Sequence, residues 1–331
     1  MMRLRPLDDQ QLPNLTDVQR VALHPHATRL QGEFAPLLNR LTELGDLTEV
    51  TRNSSALLEK DNVSGALYVK NEIEFAPAEA MHLRIFYPQW EHGYALEEHD
   101  ACSGGKQYSL QFFDRYGSML HKIVLGENGD IASFRQLVSD HAAAEQVSPL
   151  HLVLPQDDGD SADVKQIDVD ALRAEWAHTH NHDDFIQRQE AFDRQRLRKL
   201  RLAGKAFAYQ VANDSARVIL QRMTEFGTSI MAQVGNAGIV QAYYGKIKNI
   251  RIKDSRLKIM NSGFRMQLRE DHIDSVWVAK KPTTDGIITS LELFNRQGAH
   301  IASFLSKKSN GQPEPREWRD AIMRLMPIFG V

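Results

Sequence analysis

The chain has a single cysteine, Cys102, among 331 residues. Without an intrachain partner it builds no disulfide framework, so the fold must rest on a packed core, and a reducing, cytoplasmic setting is expected. Spanning helices are not expected either. The uncharged stretch 228–245 is interrupted by Gln233, Asn236, Gln241 and three glycines, which is not the pattern of a membrane-crossing segment. Residues 1–15 include Arg3, Arg5, Asp8 and Asp9 and have no apolar signal-peptide core. Charge of one sign is also missing. Forty Lys and Arg against 43 Asp and Glu leave a formal net charge of −3, too even for a dedicated nucleic-acid binder, so nucleic acid is not expected as a partner. There is no glycine-rich phosphate loop before a helix, no CxxC pair and no Gly-x-Ser-x-Gly turn, which removes the common nucleotide, zinc-ribbon and serine-hydrolase readings.

The length exceeds what one hydrophobic core usually sustains, so two domains are expected, and an internal repeat says what they are. Ser109-Leu110-Gln111-Phe112-Phe113-Asp114-Arg115-Tyr116-Gly117 returns as Ser290-Leu291-Glu292-Leu293-Phe294-Asn295-Arg296-Gln297-Gly298, with five of nine positions identical at an offset of 181. At that offset Leu83-Arg84-Ile85 falls on Phe264-Arg265-Met266, and Tyr94-Ala95-Leu96 on Ser275-Val276-Trp277. Further matches upstream and downstream keep the same order with the offset drifting only from 181 to 184. Such ordered recurrence is the mark of duplication. The acidic, turn-rich stretch 155–163 is the natural join, giving a first repeat over 1–160 and a second over 161–331.

Each copy reads alike. A helix with Leu37, Leu38, Leu41 and Leu44 ends at Gly45, and its counterpart with Ile219, Met223 and Phe226 ends at Gly227, glycine suiting a left-handed cap. Alternating strands follow, including 229–234 and 239–244 around Gly235-Asn236-Ala237-Gly238. Closing helices are expected around 134–144 and 317–326. The expected class is α+β, a tandem duplication in which each half is a large antiparallel β-sheet flanked by helices.

Residues present in one copy only are the candidates for function. The entry to the second half reads Glu175-Trp176-Ala177-His178-Thr179-His180-Asn181-His182-Asp183-Asp184-Phe185. His178 and His182 stand four apart, a spacing that puts two imidazoles on one helical face and suits a metal with Asp183 or Asp184 as a further ligand. The same residues also read as a polar helix start capped by Asn181, Asp183 or Asp184. Beyond them Arg194, Arg198, Arg201 and Lys205 form a basic stripe opposite Leu197, Leu200 and Phe207. The stripe is open to three readings: a solvated face, recognition of carboxylate or phosphate, or non-specific nucleic-acid contact.

The run Trp277-Val278-Ala279-Lys280-Lys281-Pro282-Thr283-Thr284-Asp285-Gly286, continued to Phe294, resembles the C-terminal signature of the HemS/ChuS/PhuS family of bacterial hemin-degrading and haem-trafficking proteins. Val234-Gly235-Asn236, Leu83-Arg84-Ile85-Phe86 and the strand from Ser109 to Asp114 fit the same family. The resemblance covers nearly the whole chain, duplication included. It implies one haem in a cleft between helix and sheet, an arginine at Arg84 approaching the iron from one side beside Phe86, and Lys281 placed to meet a propionate. It also implies an axial histidine in the pattern Trp, six residues, His, any residue, Phe, and there this sequence departs. Counted from Trp176 the position holds Asp183, with His182 one residue away and His180 one turn back as the imidazoles able to substitute. Leu305 and Lys308 stand where the family has a tyrosine and an arginine, so Lys308 keeps a charge for a propionate while a hydrogen bond is lost.

The function implied is that of a cytoplasmic haem-binding protein of a bacterial haem-uptake system, which takes up imported haem for transfer or for degradation with an external reductant. Its partners would be haem and either the inner-membrane haem importer or a downstream haem oxygenase. The alternatives are a non-enzymatic binder of haem or another flat anionic molecule with a degenerate axial site, a metal site at His178 and His182, and nucleic-acid association through the basic helix.

Overall fold

The computed structural model describes residues 15–63, 81–99, 104–147, 150–153, 167–177, 195–283, 286–306 and 312–328. Two compact units emerge. The first comprises Met1–Gln156 together with Asn236–Gln241 and Ser262–Arg265, and the second the remainder. The division by contacts thus falls close to the acidic stretch, while two short pieces of the second half cluster with the first unit.

In the first unit α1 (Asp17–Ala22) opens on a capping box: Gln19 N–H donates to Thr16 Oγ1 at 3.4 Å and Thr16 N–H to Gln19 Oε1 at 2.8 Å. Then come β1 (Ala27–Arg29), α2 (Phe34–Asn39), β2 (Leu47–Arg52), β3 (Ala56–Val63), β4 (Met81–Ile85), β5 (His92–His99), β6 (Lys106–Phe113), β7 (Met119–Leu125) and α3 (Ile131–Asp140). Six strands lie in the order β1-β5-β6-β7-β2-β3, and the pairings run antiparallel. One face of this sheet packs against Leu37, Leu38, Leu41, Phe134 and Leu137, all buried.

The second half of the chain contains α4 (Val169–Ala177), α5 (Arg196–Ala203), β8 (Ala208–Val211), α6 (Ser215–Phe226), β9 (Ser229–Gly235), β10 (Ile239–Lys246), β11 (Ile250–Lys253), β12 (Arg256–Asn261), β13 (Phe264–Arg269), β14 (Ser275–Thr283), β15 (Gly286–Phe294), β16 (His300–Ser306) and α7 (Arg316–Met323). Six of its strands run in the order β8-β14-β15-β16-β9-β10. That is the first unit's order, element for element, which is the duplication in three dimensions.

The repeated turns show why the sequence match is densest where it is. Asp114 Oδ1 accepts from the backbone N–H of Tyr116 at 2.9 Å and of Ser118 at 2.8 Å, and Asn295 Oδ1 accepts from Gln297 at 3.0 Å and Ala299 at 2.9 Å. The chain then passes through Gly117 and Gly298 at φ of 84° and 74°, a left-handed conformation that disfavours any side chain. A short polar acceptor followed three residues later by glycine is therefore required by the turn in both copies.

Two local expectations need correction. The helix expected through Leu44 is α2 followed by a separate 3-10 turn, Leu41–Leu44, because bonding shifts to the tighter pattern where Arg40 N–H donates to Leu37 O at 3.0 Å. All four leucines are still buried, so core packing did not demand one continuous α-helix. The closing helices begin earlier than expected, at Ile131 and Arg316; Asp130 caps the first by accepting from Ala132 N–H at 2.8 Å. Among the described residues, no helix is long and apolar enough to cross a membrane.

Candidate functional site

The second unit concentrates charge inside its core. Strand β15 is buried from Ile288 to Phe294, and within that run Glu292 places a carboxylate with no exposure. Helix α5 answers it with Arg196, which is also buried. Arg196 Nε donates to Glu292 Oε2 at 2.7 Å and Nη2 to Oε1 at 2.5 Å, a two-pronged contact, while Ser290 Oγ donates to Oε1 at 2.7 Å. Burial by itself would raise the Glu292 carboxyl; the Arg196 guanidinium outweighs it and holds the group down at about 2.

Beside this pair stands Lys281 of β14, 4% exposed. Its Nζ lies 4.9 Å from the centre of the Trp176 ring at the end of α4, and the Arg196 guanidinium carbon lies 5.1 Å from the same ring. Both are cation–π distances. Burial and then the neighbouring Arg196 push the Lys281 amine down to about 7, with Glu292 and Glu175 pulling the other way. His300 on β16 is buried too, its Nε2 hydrogen-bonded to Ser303 Oγ at 2.8 Å, and burial brings it down to about 4. Aromatic walls surround the group: Trp176 meets Phe207 edge-on at 6.3 Å, and Phe294 lies 5.1 Å from His300. The Trp277 indole N–H is buried and has no hydrogen-bond partner among the described residues.

Lys281 and Arg196 bring two buried cations to this cluster, with the Glu292 and Glu175 carboxylates acting on Lys281. An anionic oxygen arriving there would be attracted by both cations in a medium where charge is poorly screened. Cations set among indole and phenyl rings suit a flat apolar molecule bearing carboxylates. A cavity of about 480 Å³ in the first unit is of another kind, lined by Asp17, Arg20, Arg52, Asn53, Asp114 and Ser118. Its walls mix these polar and charged groups with Met119, Leu120 and Ala237.

The residues expected from sequence fall as follows. Lys281 sits in the buried cluster. Arg84 and Phe86 are in the first unit and are brought together, the Arg84 guanidinium carbon 4.9 Å from the centre of the Phe86 ring. His178, His180, His182 and Lys308 lie outside the described residues, and among the described residues no group of three or more metal-binding side chains forms. The basic stripe is solvated where described: Arg198, Arg201 and Lys205 are exposed, Lys205 lies beyond the helix end, and Arg194 is outside the described residues. Arg196, Glu292 and His300 were not foreseen. A signal for Glu292 existed, since it is the one charge in an apolar run and replaces Gln111 of the first copy, where Gln111 Nε2 donates to Ser109 Oγ at 3.1 Å.

Comparison with known proteins agrees with this division into two like halves. The haemin-degrading HemS/ChuX domain family matches residues 14–141 and again 193–325. The hemin transport protein HmuS of Yersinia pestis is 31% identical over 305 residues, 91% of this chain and 86% of that protein. Among solved structures, holo-PhuS, a heme-binding protein from Pseudomonas aeruginosa, aligns with a TM-score of 0.78 and 30% identity over 94% of this chain and 89% of its own. The heme-degrading enzyme ChuS of Escherichia coli O157:H7 aligns with a TM-score of 0.78 and 27% identity over 95% and 92%. The chain, with the domain present twice, belongs to the HemS/ChuX family.

Proposed function

We propose that this protein binds haem as cargo in the bacterial cytoplasm and passes it on. The observation that supports this most is the buried cation pair at Trp176. Lys281 and Arg196 both lie at cation–π distance from the Trp176 ring, an arrangement suited to a haem propionate entering beside an apolar face. The hemin-transport and heme-binding names of the relatives point the same way. In this reading Lys281 meets a propionate, Lys308 is a second basic anchor, Arg84 with Phe86 is a further haem contact, and His182 or His180 supplies the imidazole for the iron. The lone cysteine and the lack of a membrane-crossing helix among the described residues support a cytoplasmic setting.

Iron in bound haem would supply any redox chemistry; the chain's part is to bind, orient and exclude water. A degradative reading is favoured by the description of the matching family as haemin-degrading. Both are tested by titrating hemin into the wild-type protein and the variants Arg84→Ala, His180→Ala and His182→Ala, following the Soret band, and then adding ascorbate in air. A saturable Soret shift lost in one histidine variant and weakened in Arg84→Ala supports the haem site. Bleaching with ascorbate makes the protein an enzyme, and a stable spectrum makes it a carrier. No saturable shift at micromolar hemin refutes both.

A further inference from the structure

The first-unit cavity of about 480 Å³ has no part in the haem reading, and its volume lies within the range of small-molecule sites. Helix α1 lends it Asp17 and Arg20, the end of β2 Arg52, and the turn between β6 and β7 Asp114. The Asp17 carboxylate anchors both arginines. Arg52 Nη2 lies 3.0 Å from Asp17 Oδ1, Arg20 Nη2 donates to the same oxygen, and Asp17 Oδ2 accepts from Met119 N–H at 3.0 Å. Burial by itself would raise the Asp17 carboxyl; Arg52 first, then the Met119 N–H and Arg20, outweigh it and hold the group below its ordinary value. Arg20 is further committed, donating from Nη1 to Leu15 O at 2.9 Å. Among the described residues Asp17 is the one side chain paired with the Arg52 guanidinium, so most of its donors are available to a ligand. Arg52 is also held in place through its backbone. Asn236, which clusters with the first unit, donates from Nδ2 to Arg52 O at 2.9 Å and to Leu120 O at 2.7 Å, so little ordering remains to oppose binding.

Asp114 carries a charge its turn does not need. Asn295 makes the same two backbone contacts in the second copy with a neutral amide. Asp114 is 9% exposed and, among the described residues, belongs to no ion pair. Burial raises its carboxyl; the backbone N–H groups of Ser118, Tyr116 and Gly117 pull it down, Asp17 adds to the rise, and the net shift is upward. The charged groups sharing the cavity with it are Asp17 and Arg20 of α1 and Arg52 of β2. Such a carboxylate takes up a proton when another anion arrives beside it.

We propose that this cavity binds a small hydroxylated monocarboxylate, with the Arg52 guanidinium gripping the carboxylate and the exposed hydroxyls of Ser54 and Ser118 meeting its hydroxyl groups. The planar guanidinium fork matches a carboxylate. A phosphate dianion would set a second negative charge beside Asp17 and Asp114. Proton uptake at Asp114 makes the site one that fills more readily in acid.

The test titrates the intact protein with sodium gluconate by isothermal calorimetry, with acetate, inorganic phosphate and uncharged sorbitol as comparators. One saturable site per chain is expected, with a dissociation constant of about 1 mM or tighter for a ligand of this size. Acetate and phosphate should bind at least about tenfold more weakly, and sorbitol should give no heat of binding. Arg52→Met should lose about tenfold or more in affinity, and Arg52→Lys, which keeps the charge without the fork, part of that. Affinity in the parent should fall as pH rises from about 4.5 to about 7, by up to about tenfold per unit. Asp114→Asn should bind more tightly than the parent at the upper end and show no such fall, a gain that a misfolded protein cannot give. The proposal is overturned by absence of saturable gluconate binding at about 20 mM, by equal affinity in Arg52→Met, or by an Asp114→Asn variant with the parent's affinity and pH profile. Phosphate binding as tightly as gluconate also overturns it, in favour of an unselective anion site. Loss of hemin binding in Arg52→Met overturns it too, since the cavity would then belong to the haem site.

Discussion

Replacing Glu292 by Gln tests the electrostatics of the second unit with little change in shape, since the first copy carries Gln111 at the equivalent position. The substitution removes the negative charge and turns one of the two oxygens that accept from Arg196, 5% exposed, into an NH2 donor facing it. Breaking one partner out of a buried ion pair costs about 3–5 kcal/mol, because the remaining charge stays desolvated. For a protein of this size that corresponds to a fall of about 6–20 °C in melting temperature. Glu292 is among the groups that keep the Lys281 amine charged, so the same change drives that amine further down. Denaturant unfolding of Glu292→Gln against the parent reads the first effect. The double variant Arg196→Met/Glu292→Gln should regain most of the loss, since it buries no orphan charge. A single-variant cost below about 1 kcal/mol, or a double variant no better than the single, would refute the claim that these two charges hold each other in the core.

Three further outcomes follow from the same cluster. His300 is lowered from its ordinary 6.5 to about 4, so the unfolded chain takes up its proton first and stability should fall as pH drops through that window, by about 3 kcal/mol in all; His300→Gln should flatten the slope, and an unchanged slope would contradict it. Lys281 is lowered from 10.5 to about 7, so stability should rise with pH between those values, and Lys281→Met should abolish the rise while stabilising the protein near pH 6. A propionate beside Lys281 favours its ammonium form, so hemin affinity should fall above about pH 7, by up to about tenfold per unit, and Lys281→Met should remove that dependence; equal pH profiles in the two proteins would separate Lys281 from the ligand.

The architecture was legible because duplication writes the same physical demands twice. The Asp114 and Asn295 turns need a short acceptor and a glycine in both copies, and the leucines before Gly45 and the apolar residues before Gly227 need burial in both. Where demand was looser, the sequence was ambiguous: burying Leu41 and Leu44 did not require an unbroken α-helix. The site was read less completely. Lys281 was reached through resemblance, and its partner Arg196 was hidden among seven basic residues between Arg188 and Lys205. Periodicity tells which residues share a helix face, but not which arginine on a polar segment turns inward to meet a carboxylate 96 positions later.

The central claim is that the second unit is built to accept the carboxylates of a flat macrocycle. Its most direct measurement is an equilibrium titration of the intact protein with hemin, monitored at the Soret band at pH 7, alongside Lys281→Met. The account predicts one saturable site per chain and weaker binding in the variant. Equal affinity in both proteins, or no saturable site at all, would contradict it.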